Sequence, residues 1–131
     1  MRVALALLLI SCGTPSGGDC FVDDDCSGGD VCARNGECTG NARSVRVTWT
    51  MRGMPASAST CAQTPNLFIV FSGASPGDQF GYEPVPCAAG VFTVDKLPRR
   101  FNAVELGVAS SGYSEAATFD TQGNAKLDLA P

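Results

Sequence analysis

Seven cysteines carry most of the chemistry open to this 131-residue chain. Cys20, Cys26, Cys32 and Cys38 form one cluster with five residues between each successive pair, Cys61 and Cys87 form a later pair, and Cys12 stands alone. Thiols so placed can bridge, ligate a soft metal or exchange electrons. Zinc sites usually gather tighter cysteine knuckles than these gaps allow, so zinc is the minor reading of the cluster. Asp23, Asp24, Asp25 and Asp30, with Glu37 nearby, offer the oxygen ligands that Ca²⁺ favours. They do not fit the EF-hand loop, whose glycine and terminal glutamate are out of place, and read more simply as solvated turn carboxylates. Asp23, Asp25 and Asp30 are the weak metal candidates; no motif calls for a cofactor.

Gly73-Ala74-Ser75-Pro76-Gly77 matches the Gly-x-Ser-x-Gly nucleophile elbow. An elbow needs a helix straight after its serine, whereas Pro76-Gly77-Asp78 turns the chain, and a triad needs a histidine. The sequence contains none. That absence removes the commonest general base, the commonest metal ligand and the ordinary pH switch together. A non-catalytic protein is expected.

The chain opens with Arg2 and an apolar run of about eight residues, Val3 to Ile10, closed by Ser11. A charged tip, a short apolar stretch and a small residue describe a secretory signal peptide; a membrane span would need about 20 apolar residues. Leu9-Ile10-Ser11-Cys12 resembles the lipobox of bacterial lipoproteins, which implies cleavage before Cys12 and a diacylglyceryl thioether on it, usually with a third acyl chain such as palmitate. Two or more chains anchor stably where one does not. The resemblance implies a lipid-anchored cell-envelope protein. Gly13, where the enteric sorting rule looks for Asp, favours the outer membrane. It also balances the sulfur count: Cys12 takes lipid, and six cysteines remain to pair in an oxidising compartment.

Cleavage would leave residues 12–131, with Lys+Arg falling from 9 to 8 against 13 Asp+Glu, a net charge near −5. Phosphate neutralisation supplies most nucleic-acid affinity, so no nucleic-acid partner is expected. The membrane, through the lipid, and a protein or polysaccharide of the envelope are the expected partners. Lys96, Arg99 and Arg100 form a basic spot, read as an exposed turn.

Residues 12–19 are small and turn-forming, a flexible tether. Residues 20–38 hold only Phe21, Val22, Val31 and Ala33 as apolar side chains besides cysteine, too few for a core, so disulfides must hold the shape. Each would stabilise by roughly 3 kcal/mol through loop closure. Of three connectivities, Cys20–Cys32 with Cys26–Cys38 is preferred, and Asn35-Gly36 signals a tiny hairpin. The pattern Cys-x-x-Asp-x-Asp-Cys-x-x-Gly-x-x-Cys-x-x-x-Gly-x-Cys resembles short cysteine-rich segments of bacterial surface lipoproteins and is similar to the N-terminal cysteine-rich region of the dickkopf proteins. An alternative function makes this segment a small ligand or protease inhibitor; a further one makes the protein a calcium binder.

From Arg43 to Arg52 apolar and polar residues alternate, Val45, Val47, Trp49 and Met51 sharing one face, as in a half-buried strand. Further strands are predicted at Leu67–Ser72, Gln79–Glu83, Gly90–Val94, Asn102–Ala109, Ser114–Phe119 and Ala125–Leu129. Turn-forming clusters separate them, and almost no helix is expected. Seven short strands at this spacing predict an all-β chain, a roughly seven-stranded β-sandwich over 43–131 behind the stapled segment. Gly90, Phe92, Leu97 and Pro98, before a strand with Val104 and Val108, resemble the closing region of immunoglobulin-like or transthyretin-like modules, with Arg100 where a turn glycine is usual. Cys61 and Cys87 fall in irregular connections; a bridge between them is expected, with two buried thiols as the alternative. Trp49, Phe68, Phe71, Phe92 and Phe119 read as core. Phe80 and Tyr82, between Gly77 and Pro84, are the weak candidates for a recognition surface.

Overall fold

The computed structural model describes residues 20–131; the signal segment, Cys12 and the tether lie outside the described residues. Ten strands follow in order: β1 (Val31–Cys32), β2 (Cys38–Thr39), β3 (Ala42–Met51), β4 (Met54–Pro55), β5 (Asn66–Ser72), β6 (Gln79–Pro86), β7 (Val91–Pro98), β8 (Ala103–Val108), β9 (Tyr113–Thr118) and β10 (Asn124–Leu129). Two single-turn 3₁₀ segments, Asp23–Asp25 and Cys87–Ala89, are the helical elements, and there is no α-helix among the described residues.

The alternation in β3 works as its composition dictates. Val45, Val47, Trp49 and Met51 are buried, and the polar residues between them face out. Each edge of β3 is paired: β10 runs parallel to it, matching Ala125, Leu127 and Leu129 to Val47, Trp49 and Met51. On the other side β7 runs antiparallel, with Val45 opposite Val94 and Val47 opposite Phe92. Beyond Met51 the chain reverses through Arg52 and Gly53 at φ 51° and 73° into β4. Two successive positive φ values make the tight turn whose twist suits a hairpin.

The second sheet has the order β6-β5-β8-β9, all antiparallel. Leu67, Ile69 and Phe71 of β5 and Val104, Leu106 and Val108 of β8 turn inward to meet the first sheet in one buried cluster. Two sheets packed through a shared apolar layer form the β-sandwich that the alternation predicts. At Gly107 the sheet is so close that an added methyl would strike the Tyr113 carbonyl and the Phe68 ring.

Two strands run past their predicted ends. β7 continues from Val94 to Pro98 because, after a bulge at Ser44, Leu97 and Pro98 pair with Arg43 and Ala42. β6 continues through Pro84 to Pro86. It is an edge strand, where a proline's missing N–H costs no ladder bond. The short β4 is an addition to the predicted set.

Cys61 and Cys87 are bridged, with Cα atoms 5.8 Å apart. Cys61 lies in the turns after β4 and Cys87 opens the second 3₁₀ turn, yet both are buried, and the Trp49 indole N–H donates to the Cys87 carbonyl at 2.9 Å. The bridge therefore anchors two irregular connections to the core. Its loop, with a sequence separation of 26, corresponds to about 3.5 kcal/mol of closure entropy. Replacing both cysteines by alanine is expected to lower unfolding free energy by about that amount. Urea unfolding followed by Trp49 emission measures it; an unchanged midpoint would show the bridge to be idle.

Candidate functional site

The described surface offers no assembled catalytic set. Its most built feature is the stapled segment and the way it is held. Cys20–Cys32 and Cys26–Cys38 are bridged, with Cα separations of 5.6 and 5.5 Å. β1 and β2 make the small hairpin, turning at Gly36 with φ 84°, and the Cys20 N–H donates to the Gly36 carbonyl. Cys20, Cys32 and Ala33 are buried.

Two of the acidic residues at 23–25 are held by bonds within the molecule. Asp25 accepts the backbone N–H groups of Phe21 at 2.8 Å and Val22 at 3.2 Å. These two donors hold its carboxyl below the usual range. Asp23 accepts the Cys32 N–H at 3.0 Å and both its oxygens take the Lys96 ammonium, at 2.6 and 2.7 Å. Its pKa is lowered first by Lys96 and then by the Cys32 N–H. Asp30 lies against Gly40, where an added Cβ would come within 3.0 Å of its oxygen. The three weak calcium candidates thus have separate structural surroundings. Among the described residues, the ligand-type atoms within 4.8 Å of one another are the sulfurs of Cys20, Cys26 and Cys38, and all three are in disulfides. A disulfide sulfur lacks the thiolate a metal would bind.

Three charged contacts fasten this segment to the sandwich. Arg34 grips Asp95 of β7 through two parallel bonds of 2.7 Å, and the Arg34 backbone N–H donates to the Lys96 carbonyl at 3.0 Å. Lys96 grips Asp23 in return. Arg100 donates to both oxygens of Glu37, one at 2.7 Å, and through Nε to Asp78 at 2.9 Å, with its guanidinium 4.6 Å from the Phe101 ring. Fork-to-carboxylate pairing gives such contacts directionality. Arg34 holds Asp95 down to about 2, Arg100 holds Glu37 below its ordinary value, and Arg100 is itself raised by Glu37 and Asp78.

The basic spot of Lys96, Arg99 and Arg100 is therefore not free: two of its three cations are paired within the molecule, and Arg99 stays exposed. Phe80 and Tyr82 are half-buried and packed against the core. Their rings meet edge to face at 5.0 Å, and Tyr82 lies 5.1 Å from Phe92, bridging β6 to β7 across the mouth of the sandwich. Gly73–Gly77 is the loop between β5 and β6, closed by the Gly73 N–H on the Asp78 carbonyl. Cys12 falls outside the described residues. The described surface also carries shallow hollows. One of about 430 Å³ includes Ser44, Arg46, Thr93 and Asn124; one of about 480 Å³ includes Met54, Thr60, Gln63 and Pro131.

Sequence reasoning missed Arg34, Asp95 and Asp78 as docking residues. Their partners stand 22 to 61 positions away, and nothing in a linear pattern couples them. It also passed over Phe21 and Val22, which are 91% and 57% exposed. No described helix is long and apolar enough to cross a membrane. Comparison of the chain with protein-family models, curated proteins and solved structures finds no match.

The docking carboxylates have depressed folded-state pKa values, so their contribution is present above the unfolded range, about 4, and is lost as pH falls toward the folded value. For Asp95 that value is about 2. Between those limits the stapled segment is expected to loosen from β7 while its disulfides hold. Amide exchange at Arg34, compared with Leu106 in β8, reads this. Unchanged protection of Arg34 at pH 2 would show that the ion pairs do not carry the docking.

Proposed function

We propose that this chain is a non-catalytic, lipid-anchored protein of a bacterial cell envelope, held at the outer membrane by Cys12 and presenting its sandwich as a binding or structural module. The observation that carries the reading is a matter of sulfur. All six cysteines from Cys20 onward are used in three disulfides, so Cys12 has no partner left within its own chain. An odd cysteine in an exported protein calls for another fate, and the Leu-Ile-Ser-Cys sequence supplies one. Disulfides also suit an oxidising compartment. The resemblance to immunoglobulin-like or transthyretin-like modules belongs to the same reading: Gly90 ends the second 3₁₀ turn with φ 67°, Phe92 packs at the core margin, and Leu97 and Pro98 are buried.

The partner on this reading is a protein or polysaccharide of the envelope, met by the outer faces of the sheets. The stapled segment is fastened at three points to β7 and the turn after it, which favours a part of one rigid body over a freely held inhibitor loop. Intact-mass measurement of the protein from its own membranes, before and after thiol alkylation, tests the anchor. Loss of residues 1–11, a diacylglyceryl increment on Cys12 and no alkylation are expected. A chain that retains Met1, or that carries an alkylatable Cys12, would overturn the reading.

A further inference from the structure

Phe21 and Val22 are contiguous and project from the stapled segment, 91% and 57% exposed. Two adjacent apolar side chains left in water, unlike a single one, offer the start of a contact surface. Their exposure is held in place. Asp25 binds both their N–H groups, the Cys20–Cys32 disulfide pins the residue before them, and the charged contacts of Asp23, Arg34 and Glu37 fix the segment to β7 and the turn after it. Such a tip is already ordered before it meets anything, so contact costs little further conformational freedom.

What it meets follows from where the chain goes. Seven residues lie between Cys12 and Cys20, and Phe21 is nine steps along the chain from Cys12. At 3.3–3.6 Å per residue those steps span at most about 32 Å. On the lipid-anchored reading, on which this inference rests, Phe21 is therefore tethered within that distance of the acyl chains. An apolar side chain held so close meets the bilayer at a high effective concentration. Of the acidic run beside it, Asp23 is paired with Lys96 and Asp25 is turned onto the Phe21 and Val22 N–H groups, while Asp24 is exposed.

We propose that Phe21 and Val22 form a second, non-covalent membrane contact, inserting into the interfacial region of the bilayer that holds the lipid of Cys12. The ligand is the acyl–headgroup boundary of a phospholipid surface. Burial of the two side chains supplies the attraction, and the lipid supplies the proximity.

The test uses the full lipidated protein carrying Phe21→Trp, reconstituted into zwitterionic vesicles with bromine-labelled acyl chains. Phe21 touches little, so the exchange leaves the fold intact. Trp49, buried with its N–H on Cys87, serves as the unquenched internal control. The expected result is a blue-shifted emission from the introduced indole that loses most of its intensity to bromine, while Trp49 emission stays constant. An indole that remains red and unquenched in protein whose mass shows lipid on Cys12 overturns the membrane contact alone, and would leave the tip to a protein partner. Absence of lipid on Cys12 overturns both this contact and the reading it rests on.

Discussion

The sandwich depends on β3 being bonded along both edges while one of its faces is wholly apolar. β10 covers one edge and β7 the other, so the first strand of the sandwich joins its last strand and its middle one. The inward row of Val45, Val47, Trp49 and Met51 then sets the level at which β5 and β8 must pack. A slip of one residue in either pairing would turn that whole row to solvent, which is why the register is strongly specified. Trp49 adds a directed constraint: its indole N–H needs a partner when buried and finds the Cys87 carbonyl, tying the Cys61–Cys87 bridge to the same strand.

The stapled segment follows other rules. With four apolar side chains besides cysteine it cannot bury enough surface to offset the ordering of its backbone, and two disulfides restrict its unfolded state instead. What joins it to the sandwich is mostly charge. Each of these pairs is exposed to water, and exposed pairs taken singly contribute little. Their effect lies in being three, directional and attached to one stiff segment, so that ordering one pair largely orders the others. Arg100 is the most connected, linking the segment through Glu37 and the β5–β6 loop through Asp78.

This arrangement changes the meaning of several residues. In isolation the acidic run reads as solvated turn carboxylates and the Lys96–Arg100 turn as an exposed basic spot. Brought together, Asp23 pairs with Lys96 and Glu37 with Arg100. The aromatics of β6, Phe80 and Tyr82, pack against each other and Tyr82 against Phe92.

The sequence by itself determined seven of the strands in outline, because a residue's place in an alternating row decides which face it shows and turn-forming residues stop the rows. It determined the all-β class for the same reason, and the need for staples in residues 20–38 from the shortage of apolar side chains. Only the tertiary structure decided which charges pair, since Arg34 and Asp95 stand 61 positions apart, Asp23 and Lys96 73, and a charge carries no periodic signature of its partner. It also decided that β6 runs through two prolines, because only an edge position spares their missing N–H groups, and that Phe21 stays in water while Phe101, equally apolar, is buried. Local pattern sets a side chain's face within its own element. Whether that face is covered depends on what folds against it, and that is settled by distant chain.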